Sequence, residues 1–435
     1  MIGGDTVRIK IEKPISGGKV KAIASKSQAH RLLICSALSE KETYIECAER
    51  SEDIDATVGC LVSLGAGISH DGEGFTVVPI RFPAAKESVT QVCGESGSTL
   101  RFMLPVCCAL GVPADFVLVG QLRDRPTSPL LEQLAANGCS IHIQKSSIQC
   151  TGELCSGEYY LQGNVSSQFI SGLLLSLPLL KGDSVINVEG LVESSPYVAM
   201  TLEALKTFGI KVKPRGSRAG RGAVYLIEGS QRYRTPGKVR VEGDWSNAAV
   251  WLGAGAIGGD GVTCTGLNLG SSQGDMAIMR LLARFGANVA YEGGSVTVAP
   301  AKLSGIHIDA TDTPDLVPVL SAVASVAEGE TTISNAGRLR IKESDRLRSV
   351  TEALLALGAD IRETQDGLII RGVKALRGGK VTSFSDHRIV MMAAAASVVC
   401  KKPVTIDVAE AVAKSYPDFF RDFAALGGQA LIEAQ

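Results

Sequence analysis

The chain has 435 residues, 45% of them hydrophobic and 20% charged, and its formal net charge is −1. A chain of this length is too long for one core and indicates roughly two to three domains. The near-zero net charge excludes a general basic surface for nucleic acid or an anionic membrane. Any anion must therefore be bound by local groups of Lys and Arg.

The cysteines, the histidines and the apolar runs restrict the class of protein further. The 11 cysteines form no CxxC pair and the five histidines are isolated, so we predict no metal site, because zinc needs grouped ligands. So many thiols favour a reducing compartment, and the chain start lacks the apolar core of a signal peptide. The longest apolar run, residues 389–400, has 12 residues, whereas a membrane-spanning helix needs about 20. We therefore predict a cytoplasmic protein without a membrane segment.

The first predicted element is a strand near the chain start, where Val7, Ile9 and Ile11 alternate with charged residues. After it, a helix-like segment that ends in Gly recurs six times, and a short strand-like run follows most copies. The intervals between these glycines are 73, 71, 77, 72 and 69 residues, and Gly suits the left-handed position that ends a helix. A single copy could occur in any α/β protein, but six near-even copies predict repeated αβ modules, divided three and three. The six glycines are Gly65, Gly138, Gly209, Gly286, Gly358 and Gly427.

The first polar segment that interrupts the core pattern begins at Ser25. Lys26 and Ser27 precede the apolar residues 32–38, so a helix start there would offer backbone N–H groups, hydroxyls and an ammonium to an anion. Arg31 lies four residues after Ser27, on the same helix face. A plain helix cap with solvated charges is the alternative interpretation.

The second segment is rich in glycine and hydroxyl residues. Gly97 lies in it, ahead of an apolar helix that contains Arg101, so a small ligand could approach the backbone closely. Arg125 follows in a loop next to an acidic residue. An ordinary turn and a surface ion pair are the alternatives for these two features.

The third segment consists of Ser166, Ser167 and Gln168, which precede the apolar residues 169–180. Two hydroxyls and an amide at a helix start suit a phosphate group. Ser194 and Tyr197 repeat this pattern further along the chain. Serine is also a common helix cap, so each motif alone has a structural explanation.

The fourth segment, residues 338–348, holds four arginines and one lysine among acids before a helical pattern. Lys342 and Arg346 are four residues apart, so we predict that they share a helix face, with Glu343 beside them. A solvated helix start is the ordinary explanation for such a charge run.

The fifth segment is a charged triplet that enters an apolar run. Asp386, His387 and Arg388 open residues 389–400, and charged groups at the start of a buried helix need partners. Lys414 stands alone before a proline turn near the chain end.

In this order, these segments resemble the EPSP synthase family of enolpyruvyl transferases, and the match extends over essentially the whole chain. The resemblance rests on Lys26-Ser27 with Arg31, residues 95–101, Arg125-Pro126, Ser166-Ser167-Gln168, residues 340–347, Asp386-His387-Arg388 and Lys414.

The resemblance implies a two-domain enolpyruvyl transferase fold of the α/β class. This fold is an inside-out α/β barrel of six βαβαββ-type units, three per domain. Residues 1–18 with 240–435 would form one discontinuous domain, and residues 19–239 would form an inserted one. The active site would lie in the cleft between them.

The implied reaction transfers the enolpyruvyl group of phosphoenolpyruvate to the 5-hydroxyl of shikimate 3-phosphate by addition and elimination. It requires no cofactor and no metal, and the enzyme would be a monomer. The resemblance assigns catalysis to Lys26, Asp315 and Glu343. It assigns shikimate 3-phosphate binding to Lys26, Ser27, Arg31, Ser166, Ser167, Gln168, Ser194, Tyr197, Asp315 and Lys342. It assigns phosphoenolpyruvate binding to Lys26, Gly97, Arg125, Gln168, Arg346, Arg388 and Lys414.

Three other functions fit parts of the sequence. A related enzyme transfers enolpyruvyl to UDP-N-acetylglucosamine, but its usual mark is a reactive Cys on a loop, and residues 111–125 contain none. A related fold acts on RNA 3′-phosphate ends and would need basic patches, which the net charge of −1 disfavours. A non-catalytic binding protein would be expected to lack the proposed catalytic residues, and all of them are present.

Overall fold

The computed structural model describes residues 6–81, 88–216 and 222–433. The chain divides into two compact units. The discontinuous unit comprises Met1–Ile23 and Glu242–Gln435, and the inserted unit comprises Ala24–Val241. The strands of the described part form six four-stranded sheets, three in each unit.

Helices and strands alternate along both units. The helices are α1 Lys26–Ala37, α2 Glu52–Ser63, α3 Gly97–Leu110, α4 Leu130–Ala136, α5 Ser167–Ser176, α6 Ser195–Thr207, α7 Trp245–Ile257, α8 Ile278–Phe285, α9 Val317–Ala324, α10 Arg346–Leu357, α11 His387–Ala396 and α12 Phe419–Ala425. The strands are β1 Arg8–Lys13, β2 Gly18–Lys21, β3 Thr43–Glu46, β4 Gly67–His70, β5 Gly74–Val78, β6 Val89–Val92, β7 Ala114–Val117, β8 Cys139–Ile143, β9 Ser147–Gly152, β10 Glu158–Gln162, β11 Ser184–Glu189, β12 Val212–Gly216, β13 Gly222–Ile227, β14 Lys238–Arg240, β15 Val262–Thr265, β16 Asn288–Glu292, β17 Ser295–Ala299, β18 His307–Asp309, β19 Glu330–Ser334, β20 Asp360–Glu363, β21 Leu368–Arg371, β22 Gly379–Thr382, β23 Val404–Asp407 and β24 Gln429–Glu433.

All six sheets are built on one plan, which the module from β6 to β9 shows most simply. Strands β6 and β7 are parallel, as a helical crossover requires, and α3 connects them. Strand β9 pairs antiparallel with both β7 and β8, which gives the order β6-β7-β9-β8. This is the predicted βαβαββ unit. The described strand pairing contains six separate sheets, without hydrogen bonds that close them into one barrel.

The chain start completes sheets whose other strands come much later. Strand β1 lies between β23 and β24, and Ile9 faces both Ile406 and Ile432. Strand β2 runs parallel to β15 in the same unit. A domain limit after residue 18 would separate most of β2 from this sheet, and the unit extends to Ile23 instead. In the inserted unit, β14 similarly pairs with the early strand β3.

The prediction for the six repeat glycines is confirmed. Each glycine follows the second helix of its module and precedes a strand: they come after α2, α4, α6, α8, α10 and α12. Their φ angles are 97° at Gly65, 100° at Gly138, 75° at Gly209, 108° at Gly286, 96° at Gly358 and 87° at Gly427. A side chain would be strained at these angles, which explains why the repeat is visible in the sequence.

The first helix of each module forms the core around which the sheets pack. Every residue of α9 and α11 is buried, and α7 is buried except at its last residue. Such helices are apolar on all sides, so only their N-terminal residues can carry polar groups toward a ligand. Among the described residues, no helix is both long and apolar enough to cross a membrane.

Candidate active site

The predicted site residues lie where helices begin. Lys26 is the first residue of α1, Gly97 of α3 and Ser167 of α5 in the inserted unit. In the discontinuous unit, Asp386 caps α11 and Arg346 is the first residue of α10. Helix N-termini present free N–H groups and a partial positive charge, which suits phosphate and carboxylate ligands.

One group of these residues lies in the inserted unit. We call Lys26, Asp53, Gly97, Arg125 and Gln168 the lysine cluster. The Lys26 ammonium lies 2.6 Å from a carboxylate oxygen of Asp53, and both side chains are mostly buried. The pair restricts the flexible lysine to one direction, although its side chain remains 16% exposed to a ligand.

Gln168 connects the starts of α3 and α5. Its amide nitrogen donates to Ser98 Oγ over 2.7 Å, and its amide oxygen accepts from Arg101 Nη1 over 2.6 Å. Arg101 also donates to the carbonyl of Pro126 over 2.8 Å. Because Gln168 uses both ends of its amide on protein partners, it fixes the relative position of the two helix starts.

Gly97 lies against the guanidinium of Arg125. A Cβ atom placed at residue 97 would be 2.6 Å from Arg125 Cζ, closer than real Cβ atoms approach. Arg125 itself is 9% exposed. Any side chain at residue 97 would therefore displace the Arg125 guanidinium.

The other predicted residues of the inserted unit surround Arg31. This arginine is 2% exposed and donates to Thr201 Oγ1, the Ser27 carbonyl and the Tyr197 carbonyl over 2.6–2.9 Å. Burial lowers the pKa of Arg31 to about 10, which leaves it charged at neutral pH. The structure thus gives Arg31 a structural task that the sequence did not indicate.

The predicted serines occupy helix starts. Ser166 caps α5 and its hydroxyl accepts from the Gln168 N–H over 3.3 Å, while Ser167 is buried beside it. Ser194 precedes α6 with φ at 53°, a conformation that costs energy for a residue with a side chain. Strain of this kind often accompanies functional sites.

A second group of residues lies in the discontinuous unit. We call Asp315, Glu343, Arg346, Asp386 and Arg388 the arginine cluster. The Arg346 guanidinium is 1% exposed and contacts three carboxylates. Its nitrogens lie 2.7 Å from Asp315, 2.7 Å from Glu343 and 2.8 Å from Asp386.

Arg388 holds the other side of Asp315. Its Nη2 lies 3.2 Å from Asp315 Oδ2 and donates to Ser246 Oγ over 2.7 Å. Its Nη1 donates to the Asp315 carbonyl over 3.3 Å. Lys414 points to the same helix start, where its ammonium donates to the carbonyl of Ser385 over 2.7 Å.

These cations determine the ionisation of Asp315. Burial by itself raises the pKa of this carboxyl, but Arg388, Lys342 and Arg346 outweigh burial and hold the pKa well below its usual range. Asp315 is therefore an anion at neutral pH. Burial likewise lowers the pKa of Lys342, to about 8, so this lysine can exchange a proton near neutrality.

The prediction that Lys342 and Arg346 share a helix face is wrong. Helix α10 begins only at Arg346, because the Asp345 carboxylate accepts from the Arg348 N–H and caps the helix there. Lys342 is extended, at the end of a 3-10 turn over Gly337–Ile341. Lys342 nevertheless acts electrostatically on Asp315 and Arg346, because the loop returns to the cluster.

Sequence reasoning missed several residues of both clusters. Asp53 looked like an ordinary acid in a first helical turn, and Asp386 received no role of its own although it is 0% exposed and binds Arg346. Asp275 was missed too, and the repeat could have revealed it. It lies in a 3-10 turn, Gly274–Ala277, between the second strand and second helix of its module. Corresponding turns precede Arg125 and Lys342, and another ends at Lys414.

Comparisons with known proteins agree over the full length. The family model for EPSP synthase (3-phosphoshikimate 1-carboxyvinyltransferase) matches residues 9–423. The 3-phosphoshikimate 1-carboxyvinyltransferase of Clostridium kluyveri is 42% identical over 414 residues, which cover 95% of each chain. The protein of the same name from Clostridium acetobutylicum is 41% identical over 425 residues, 97% of each chain.

Solved structures agree with the fold. The EPSP synthase from Acinetobacter baumannii matches 98% of this chain and 100% of its own, with a TM-score of 0.79 and 24% identity. The enolpyruvyl transferase NikO from Streptomyces tendae matches 100% of both chains, with a TM-score of 0.80 and 18% identity. With the family match and the curated relatives, the conclusion is that the chain belongs to the EPSP synthase family.

Proposed function

We propose that the chain transfers the enolpyruvyl group of phosphoenolpyruvate to the 5-hydroxyl of shikimate 3-phosphate and releases phosphate. The observation that carries the proposal is the arginine cluster. In it, the two carboxylates that would move protons, Asp315 and Glu343, are both held on Arg346 and lie among further cations. Acids among fixed cations are what a reaction of an anionic enol needs.

Phosphoenolpyruvate presents a carboxylate and a phosphate close together. Arginine suits both groups because its planar fork can bind either with two hydrogen bonds. We assign this substrate to Arg125, Arg388 and Lys414, with Lys26 and Gln168 nearby. Arg346 belongs to the same set, and its contacts with three carboxylates give it a second task of fixing the acids.

Shikimate 3-phosphate is assigned to the helix starts of the inserted unit. Its phosphate would bind the hydroxyls and N–H groups at Ser166 and Ser167, where α5 begins. Its carboxylate would bind near Arg31. Asp315 and Lys342 would approach the reacting hydroxyl. That both clusters act on the same pair of substrates is part of the proposal.

The reaction then needs two proton transfers. The substrate hydroxyl oxygen bonds to C2 of phosphoenolpyruvate as Asp315 takes the hydroxyl proton and C3 receives a proton from Glu343. The tetrahedral intermediate then loses a C3 proton to Glu343 as the bond from C2 to the phosphate oxygen breaks. Lys26 is the third group able to exchange a proton. The surrounding cations stabilise the charged intermediate.

The depressed pKa of Asp315 fits a base that is activated by substrate. While Arg388, Lys342 and Arg346 face it uncompensated, the carboxylate is a weak base. Phosphoenolpyruvate bound to these cations would offset their charge and raise the pKa of Asp315. Proton abstraction would thereby begin only after the second substrate has bound.

Transfer to UDP-N-acetylglucosamine is the alternative reaction, and the names of the full-length relatives favour shikimate 3-phosphate. The test is phosphate release from purified protein with phosphoenolpyruvate and either acceptor. We expect release only with shikimate 3-phosphate. Release only with the UDP-sugar would refute the assignment, and no release with either acceptor would favour a non-catalytic protein.

Two variants test the site in the same assay. Lys26→Ala and Glu343→Ala should each lower kcat about 10²–10⁴-fold, the usual contribution of a positioned proton donor or acceptor. Lys41→Ala and Glu352→Ala remove exposed charges from the same units and serve as matched controls. Wild-type rates in the first pair would show that the assigned residues are wrong even if the protein is active.

Gly97→Ala should raise the KM for phosphoenolpyruvate about 10- to 100-fold, because the new methyl group displaces the Arg125 guanidinium. The KM for shikimate 3-phosphate and the melting temperature should change little, since the displaced atoms end a flexible side chain. Steady-state kinetics with each substrate varied in turn measure this effect. Gly59→Ala is the matched control, because a Cβ there meets no atom within 4 Å. Equal rises in both KM values would contradict a specific role of Arg125.

A further inference from the structure

Asp275 is a buried acid close to the arginine cluster that the proposed mechanism does not use. It is 4% exposed and lies in the 3-10 turn Gly274–Ala277 of the discontinuous unit. The side chain of Gln273 ties this turn to the start of α7. The Gln273 amide oxygen accepts from the Trp245 N–H over 3.0 Å, and its amide nitrogen donates to the Gly243 carbonyl over 2.9 Å.

This attachment places Asp275 next to Ser246, with which its carboxyl is hydrogen-bonded. Ser246 in turn accepts from Arg388 Nη2 over 2.7 Å, and Arg388 continues to Asp315. A guanidinium can only donate, so Ser246 must give its own hydrogen to Asp275. The chain of contacts Asp275–Ser246–Arg388–Asp315 therefore has one defined direction of donation.

The second carboxyl oxygen of Asp275 is unusual. Among the described residues, Oδ1 is buried and has no hydrogen-bond partner. A buried anionic oxygen without a donor costs far more than a neutral carboxyl group in the same place. The surroundings of Asp275 therefore favour the protonated acid.

We propose that Asp275 is a positioning residue of the transferase reaction, which as a neutral acid directs the Arg388 guanidinium through Ser246 toward Asp315 and phosphoenolpyruvate. The inference rests on the proposed function, in which Arg388 binds phosphoenolpyruvate. A neutral Asp275 can hold Ser246 without adding a third negative charge beside Asp315 and the bound substrate.

The charged groups around Asp275 agree with this assignment. Asp244 at the start of α7, Asp315 and Arg388 face it, and Glu242 lies beyond Gln273. Burial, followed by the charge of Asp315, raises the pKa of Asp275 to about 7 against the opposing effects of Arg388 and Ser246. Above this pH the ionised carboxylate would compete with the substrate for Arg388.

The kinetic test compares wild type, Asp275→Asn, Asp275→Ala and Ser246→Ala between pH 6 and 9. In the wild type, the KM for phosphoenolpyruvate should rise above pH 7 more steeply than in Asp275→Asn, which keeps the neutral shape at every pH. Asp275→Ala and Ser246→Ala should raise this KM about 10- to 100-fold at pH 6.5, with the KM for shikimate 3-phosphate nearly unchanged. Identical pH profiles of wild type and Asp275→Asn, or equal changes in both KM values, would overturn the proposal.

A measurement without substrates separates this inference from the proposed function. Folded protein keeps a proton on Asp275 up to about pH 7, whereas the unfolded chain loses it near pH 4. The free energy of unfolding of the wild type should therefore fall relative to that of Asp275→Asn as the pH rises from 4 to 7. Asp260→Asn, an exposed acid of the same unit, should show no such relative change. A constant difference between wild type and Asp275→Asn would refute the neutral acid, whereas an inactive wild type would refute only the proposed function and the positioning that depends on it.

Discussion

Asp315→Asn is expected to lower kcat about 10²–10⁴-fold, the loss typical for removal of a general base. The amide has nearly the shape of the carboxylate, so it can still meet Arg346 and Arg388, which lie 2.7 Å and 3.2 Å from Asp315. It cannot accept a proton from the substrate hydroxyl. The loss should therefore appear in kcat, whereas the KM for phosphoenolpyruvate should change less.

The matched control is Asp312→Asn, an exposed acid three residues earlier in the same loop. Steady-state kinetics and thermal unfolding of both variants separate catalysis from folding. Full activity of Asp315→Asn would exclude Asp315 as the base and leave Glu343 or Lys26 for this step. A low melting temperature together with low activity would instead assign Asp315 a structural role.

Arg346→Met is expected to lower the free energy of unfolding by about 3–5 kcal/mol, the usual cost of leaving a buried charge without its partner. The three carboxylates around Arg346 differ in how they can respond. Glu343 is 20% exposed and can turn to water, and Asp315 keeps its contact with Arg388. Asp386 is 0% exposed and cannot reach water, so it dominates the cost.

Arg348→Met, one helical turn edge away on α10, is the control for this prediction. Arg348 is 68% exposed and pairs with Glu352, so its loss should cost about 0.5 kcal/mol or less. Arg346→Lys should not restore stability, because one ammonium cannot replace a fork that contacts three carboxylates. Denaturant unfolding measures all three variants. Equal stabilities of Arg346→Met and Arg348→Met would contradict the central role of Arg346.

The sequence by itself determined the features that depend on local backbone and periodicity. The six glycines marked the ends of six helices because each adopts a φ angle that other residues avoid. The motifs at Lys26, Gly97 and Ser166 marked helix starts, because small polar residues before an apolar run satisfy free backbone N–H groups. The order of these motifs was sufficient to indicate the family, which the comparisons confirm.

Only the tertiary structure decided which residues meet. Asp53 pairs with Lys26 across 27 positions, and Arg346 binds Asp386 across 40. Neither contact leaves a local pattern, because both depend on how strands bring distant helix starts together. The wrong helix face at Lys342 has the same origin, since the Asp345 cap ends the loop later than the spacing suggested. Asp275 gains its character in the same way: burial and the charge of Asp315, forty positions along the chain, make an ordinary acid hold its proton.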